Sequence, residues 1–182
     1  GLERLTAVIQ GVPNNFETDL FQPIIKEIVQ SSKSPKKEFI YAVAVHIRAI
    51  VFTIYDGVMP ANEARGYVVR KLIRKSTLHL RALGFKQPFL YKLVPVSSQI
   101  MQRFYPELKE RQENIAEIIL AEERGFWNTL NSSETLFQEK FKDCIGREGP
   151  EQVGRIAFQL YDTYGIPLEL TMNWLNKKSI RI

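Results

Sequence analysis

PANEARGYVVRKLIRK, residues 60–75, is the stretch on which the fold reading turns. It reads as a helix opened by Pro60 and carrying Arg65, Arg70, Lys71, Arg74 and Lys75, with Arg81 one turn beyond. At about 100° per residue, Val69, Leu72, Ile73, Leu80 and Leu83 fall on one stripe, while Arg70, Arg74 and Arg81 cluster within about 40° on another face. One side packs and the other meets something anionic. Solvated faces usually mix signs, yet residues 63–92 hold eight Lys or Arg and a single acid. Gly66 inside this helix costs about 1 kcal/mol relative to Ala, so it marks a close backbone approach, by a packed neighbour or by a sugar-phosphate strand.

Upstream, Leu2, Leu5, Val8 and Ile9 have helical spacing and stop before Gly11 and Pro13. Thr18 or Asp19 is expected to cap a second helix through Ile24, Ile25 and Ile28. Pro35 then opens the most regular helix, whose Ile40, Val43, Ala44, Ile47, Ile50, Val51 and Ile54 demand burial, and Asp56-Gly57 ends it. His46 lies at the edge of that stripe and reads as a satisfied boundary histidine. Downstream, Gly84 ends the basic helix, and a proline-started helix follows that is kinked or divided near Pro95. A long acidic helix from Glu107 buries Ile115, Ile118, Ile119, Phe126 and Leu130, with an interruption at Asn131 to Glu134 before a shorter helix. A loop from Gly146 to Pro150 precedes a helix running up to Gly165, and Pro167 starts the last one. The β-branched residues sit at helical rather than alternating spacing, so the expected fold is all-α, a bundle of eight to nine helices in two packed sub-bundles.

The chain has 182 residues, 25% charged and 45% hydrophobic, with a net charge of +5, which suits a folded globular protein and disfavours disorder. Residues 107–123 hold six Glu against Lys109 and Arg111, so the basic surplus lies upstream. One cysteine, Cys144, excludes an internal disulfide, and with His46 and His79 as the only other nitrogen or sulfur ligands a four-ligand structural zinc site cannot form. Charges interrupt the apolar runs, no signal-peptide pattern is seen, and the start at Gly1 reads as a cut from a larger protein. No nucleophile, base and orienter assemble, and Gly-rich phosphate loops are absent. Asp162 breaks a local rule: an anion in the last turn of a helix faces the negative end of the macrodipole, at roughly 0.3 to 1 kcal/mol. Such inconsistencies mark functional sites, unless a neighbouring side chain bonds the carboxylate.

GLER at Gly1 to Arg4, TDLF at Thr18 to Phe21, HIRA at His46 to Ala49, DGVMPANEARGYVVRKLIRK at Asp56 to Lys75, PFLYKLV at Pro88 to Val94, YPEL at Tyr105 to Leu108 and LYDTYGIPLELT at Leu160 to Thr171 resemble, in order, consecutive blocks of the alanyl-tRNA synthetase family. The resemblance implies that residues 1–12 are the tail of the class II catalytic domain, where Arg4 contacts ATP phosphates, and that 13–106 and 107–182 are two helical tRNA-recognition sub-bundles. It implies that Asn62 and Asp162 read the G·U wobble pair in the acceptor stem of alanine tRNA. A guanine 2-amino group without a Watson–Crick partner faces the broad minor groove of A-form RNA, where a carboxylate accepts from it. Arg65, Arg70 and Arg74 are then expected to hold phosphates nearby.

The implied activity is alanine–tRNA ligation by the full-length enzyme, with this fragment inactive alone. ATP with Mg, and zinc, are expected only in that enzyme, with none bound here. The partners are alanine tRNA and the remainder of the synthetase chain, in the cytoplasm and without a membrane. Where the family usually has Ser-Asn-Glu-Gly-Arg-Gly, this chain has Ala61-Asn62-Glu63-Ala64-Arg65-Gly66, and Val45 stands where aspartate is usual. Losing the serine removes a cap or backbone contact beside Asn62, typically worth ~1 kcal/mol. The competing readings are a free-standing helical RNA-binding module and a protein-interaction bundle.

Overall fold

The computed structural model describes residues 1–142 and 150–180; Cys144 and most of the loop expected from Gly146 lie outside them. Among the described residues there are nine α-helices and no strand: α1 (Leu2–Ile9), α2 (Gln22–Ser31), α3 (Lys37–Tyr55), α4 (Ala64–Ala82), α5 (Val94–Met101), α6 (Glu107–Glu110), α7 (Gln112–Lys140), α8 (Pro150–Asp162) and α9 (Leu168–Lys177). The all-α expectation holds. The chain divides into two compact units, Gly1–Arg124 and Gly125–Ile182, so the boundary falls within α7 rather than at Glu107. The physical reason is burial: Leu108, Ile115 and Ile119 belong to the core of the first unit.

In the first unit the α3–α4 pair is the centre. All seven apolar positions predicted on α3 are buried, and Val69, Ile73, Leu80 and Leu83 meet them from α4 and its C-cap. By length and composition α3 would pass for a membrane span. Its apolar stripe instead forms the core, and its Arg48 pairs with Glu3 of α1 at 2.7 Å while lying 4.5 Å over the Phe21 ring. Gly57 and Gly84, both at positive φ, end α3 and α4 as predicted. The turn after α4 also anchors the linker before α3, because the amides of Lys33 and Ser34 and the Ser32 hydroxyl all donate to the Leu83 carbonyl. By contrast, Leu2, Leu5, Val8 and Ile9 of α1 are 60% or more exposed.

Several predicted boundaries move. Pro60 does not open α4; the helix begins at Ala64, and residues 60–63 cross over it in an irregular segment. Gly66 allows this crossing: a Cβ there would lie 2.4 Å from the Met59 carbonyl oxygen and 2.6 Å from the Ala61 Cβ. The Ala61 amide donates to the Gly66 carbonyl at 3.0 Å. Glu63 stands at the N-cap without a side-chain cap bond, and Ala64 takes φ +50, a left-handed conformation that disfavours a Cβ. Neither Thr18 nor Asp19 caps α2: the Thr18 hydroxyl turns back to the Asn15 carbonyl, closing a 3₁₀ turn over Asn15–Glu17. The acidic helix breaks once, at Arg111 between α6 and α7. It does not break at Asn131 to Glu134, because the hydroxyls of Ser132 and Ser133 bond to carbonyls of their own helix and leave its backbone ladder intact.

Glu123 of α7 is fully buried, and its carboxylate accepts the backbone N–H groups of Phe89, Leu90 and Tyr91 at 3.0 to 3.1 Å. These amides open the 3₁₀ turn Leu90–Leu93 that feeds α5, where Pro95 sits in the first turn. Burial pushes the Glu123 carboxyl up, and the three N–H donors oppose that shift. In the second unit, Phe137 of α7 and Phe141, just past its end, pack on Trp174 of α9 with ring centroids 5.4 and 5.5 Å away, and the Trp174 indole N–H donates to Glu134. Val153, Ala157 and Leu160 of α8 complete that core with Ile166. Gly165 at positive φ closes α8, and the Ile166 amide returns to the Leu160 carbonyl at 3.0 Å.

Two stability tests follow from this geometry. Glu123→Ala leaves three backbone donors without their acceptor and is expected to cost about 3 kcal/mol or more, with Glu123→Gln retaining part of the loss, in urea unfolding of the chain. At the start of α4 the usual ranking inverts. Gly66→Ala, which gains about 1 kcal/mol in an open helix, should destabilise by ~2 kcal/mol because of the crossing segment, while Ala64→Gly should stabilise by ~1 kcal/mol. A stabilised Gly66→Ala chain would show that residues 59–61 do not lie on α4.

Candidate nucleic-acid interface

The side chains of α4 sort into three faces. The apolar stripe is buried apart from the half-buried Leu72; Arg65, Lys71 and Lys75 are exposed, with Tyr67 and Val68 between them. Arg70 and Arg74, one turn apart, lie on a flank that meets α7. There the Arg70 Nε donates to one oxygen of Glu122 at 3.1 Å and the Arg74 Nε to the other at 2.8 Å. The three side chains retain only 23%, 28% and 12% of their exposure, respectively. Part of the charge asymmetry seen along the sequence is thus satisfied within the molecule. The expectation that Arg70 and Arg74 hold phosphates meets a competing intramolecular partner. Sequence reading missed Glu122, because its partners are 48 and 52 residues away and only the opposite signs of the two helices hinted at them.

Asn62 is exposed in the segment that crosses α4, two residues before the helix rather than in its first turn. Its side-chain oxygen accepts from the Arg70 Nη1. The crossing segment is fixed by the Gly66 approach, so the position of Asn62 depends on a glycine four residues later.

His46 occupies the boundary site predicted for it. The Ser76 hydroxyl donates to the Leu72 carbonyl at 2.8 Å, so it accepts from the His46 Nδ1 3.0 Å away. Burial first, then His79 and Lys75, lower the His46 pKa to about 4, and burial with Lys75 lowers that of His79. Both rings are neutral near pH 7, and the basic face is made of Lys and Arg alone.

Asp162 is the last residue of α8 and is exposed. Its carboxylate accepts no hydrogen bond among the described residues, so the neighbouring side chain that would have explained it structurally is not found there. Around it, Phe158 is 64%, Tyr161 43% and Tyr164 38% exposed. Phe158, one helical turn before Asp162, is an apolar side chain on a polar face, a signal the sequence carried. Asp162 belongs to the second unit and Asn62 to the first. Arg4 is exposed on α1. No group of three or more His, Cys, Asp or Glu converges among the described residues.

The family model described as "tRNA synthetases class II (A)" matches residues 1–182. The chain is 47% identical to the alanine–tRNA ligase of Streptococcus sanguinis (strain SK36) over 176 residues, covering 94% of the chain and 20% of that ligase. It is 45% identical to the ligase of the same name from Geobacillus thermodenitrificans (strain NG80-2), again over 94% of the chain and 20% of the relative. With that from Enterococcus faecalis (strain ATCC 700802 / V583) it shares 40% identity over the whole chain and 22% of the relative. The chain thus spans about a fifth of the length of these curated relatives. With its entire length matched, the chain belongs to the class II tRNA synthetases.

Proposed function

We propose that this chain is the tRNA-recognition part of an alanine–tRNA ligase, binding the acceptor stem of alanine tRNA and reading its G·U wobble pair so that ATP-dependent aminoacylation falls on the right tRNA. The observation that carries the reading is Asp162: an exposed carboxylate at the unfavourable end of a helix, with no acceptor duty among the described residues. A free guanine 2-amino group is a donor suited to it. Asn62 addresses the same pair, and the exposed Arg65, Lys71 and Lys75 supply the phosphate contacts that hold the stem. The family match favours this reading over a free-standing RNA-binding module or a protein-interaction bundle.

The remainder of the ligase is the second partner. The exposed apolar stripe Leu2, Leu5 and Ile9 of α1 is the surface it would cover, with Arg4 reaching ATP phosphates from the same helix. ATP with its magnesium, and zinc, belong in this proposal to that remainder, and the setting is the cytoplasm. The isolated chain is expected to be inactive in alanine-dependent ATP–pyrophosphate exchange, because one arginine has no reacting groups to position.

The test is aminoacylation kcat/KM on wobble and Watson–Crick acceptor stems in the full-length ligase. Asp162→Ala and Asn62→Ala should each cost about 1 to 3 kcal/mol of discrimination. The Asp162→Ala melting temperature should stay level or rise slightly, since removing the anion relieves roughly 0.3 to 1 kcal/mol at the helix end. Full discrimination in the Asp162→Ala ligase would remove that residue from the site.

A further inference from the structure

Asn62 lies outside regular structure and caps no helix, so secondary structure does not set its side-chain orientation. A chain of bonds does. The Arg70 Nη1 donates to the Asn62 Oδ1, the Arg70 Nε donates to a Glu122 oxygen at 3.1 Å, and the other Glu122 oxygen holds Arg74 at 2.8 Å. A guanidinium has only donors, so a single amide orientation satisfies Arg70: oxygen inward, nitrogen outward. The Asn62 Nδ2 donates to no group among the described residues. We infer that Glu122 and Arg70 are positioning residues for base reading, locking the Asn62 amide so that it offers only N–H donors to the RNA. This rests on the reading of Asn62 as a base contact.

The lock needs an arginine. Its planar fork bonds an amide oxygen and a carboxylate from different nitrogens at once, whereas a lysine ammonium is a point charge on a flexible stem. Arg74 shares the carboxylate and fixes its rotation. Arg70 therefore acts through Asn62 and makes no phosphate contact, and the base group that Asn62 meets must be an acceptor.

Arg70→Lys separates the two roles because it keeps the charge. In the full-length ligase, kcat/KM on wobble and Watson–Crick stems is measured for wild type, Asn62→Ala, Arg70→Lys, their double mutant and Glu122→Ala. The expected result is a roughly 5- to 50-fold fall in wobble preference for Arg70→Lys, with no further fall when Asn62 is already Ala. Glu122→Ala should lose preference in the same way, whereas an Arg70 bound to phosphate would, once freed from the carboxylate, bind both stems more tightly. A folding loss lowers both stems alike and leaves their ratio unchanged. Full preference in Arg70→Lys beside a loss in Asn62→Ala would overturn the inference alone. Full preference in Asn62→Ala would overturn the base-contact reading and the inference with it.

Discussion

Two adjacent carboxylates on α7, Glu122 and Glu123, tie the first unit together. Consecutive helix residues point about 100° apart, so one helix addresses two neighbours from a single turn. Glu122 takes the Arg70 and Arg74 side chains of α4, and Glu123 takes three amides at the entry to α5. A buried carboxylate without partners would cost several kcal/mol. Glu123 tolerates complete burial because backbone donors compensate it on both oxygens. The same residue holds the Phe89–Tyr91 turn against a helix more than thirty positions away.

This arrangement changes what the basic helix means. A stripe of cations with few acids in its own segment invites an external anion, yet the acids missing from that segment return across the fold. Arg70 and Arg74 are half of an internal fork, and Arg65, Lys71 and Lys75 remain turned to solvent. The exposed set is electrostatic and suits a phosphate backbone, while the paired set is directional and supports a side chain. Gly66 contributes the other constraint, since only a residue without a Cβ lets the Met59–Ala61 segment lie on α4 and present Asn62 beside Arg70.

Helical periodicity made the core legible: the seven α3 positions and Val69, Ile73, Leu80 and Leu83 of the α4 stripe are buried as spacing demanded, Leu72 is partly buried against them, and glycine placed the ends of α3, α4 and α8. The start of α4 was not legible from Pro60, because a tertiary crossing at Gly66 overrides the usual proline signal. Ala64 shows the same override. It adopts a left-handed φ although it carries a Cβ, a strain that no local propensity reveals. Ser132 and Ser133 misled in the opposite direction: hydroxyls that often interrupt helices here bond within α7 and leave it continuous. At the candidate site, Asp162 stood out through its conflict with the helix dipole. Glu122 did not, since its role exists only once two distant helices are packed.

Arg70 and Arg74 are inferred to stay on Glu122 when RNA binds. Their Nε–H resonances, followed by NMR in the free chain and during titration with an acceptor-stem duplex carrying the wobble pair, test it most directly. Both Nε–H groups are expected to exchange slowly in the free chain and to move little on RNA addition, while the Asn62 side-chain amide pair shifts. Release of either Nε–H from Glu122 as RNA binds, with the Asn62 amide unmoved, would contradict it.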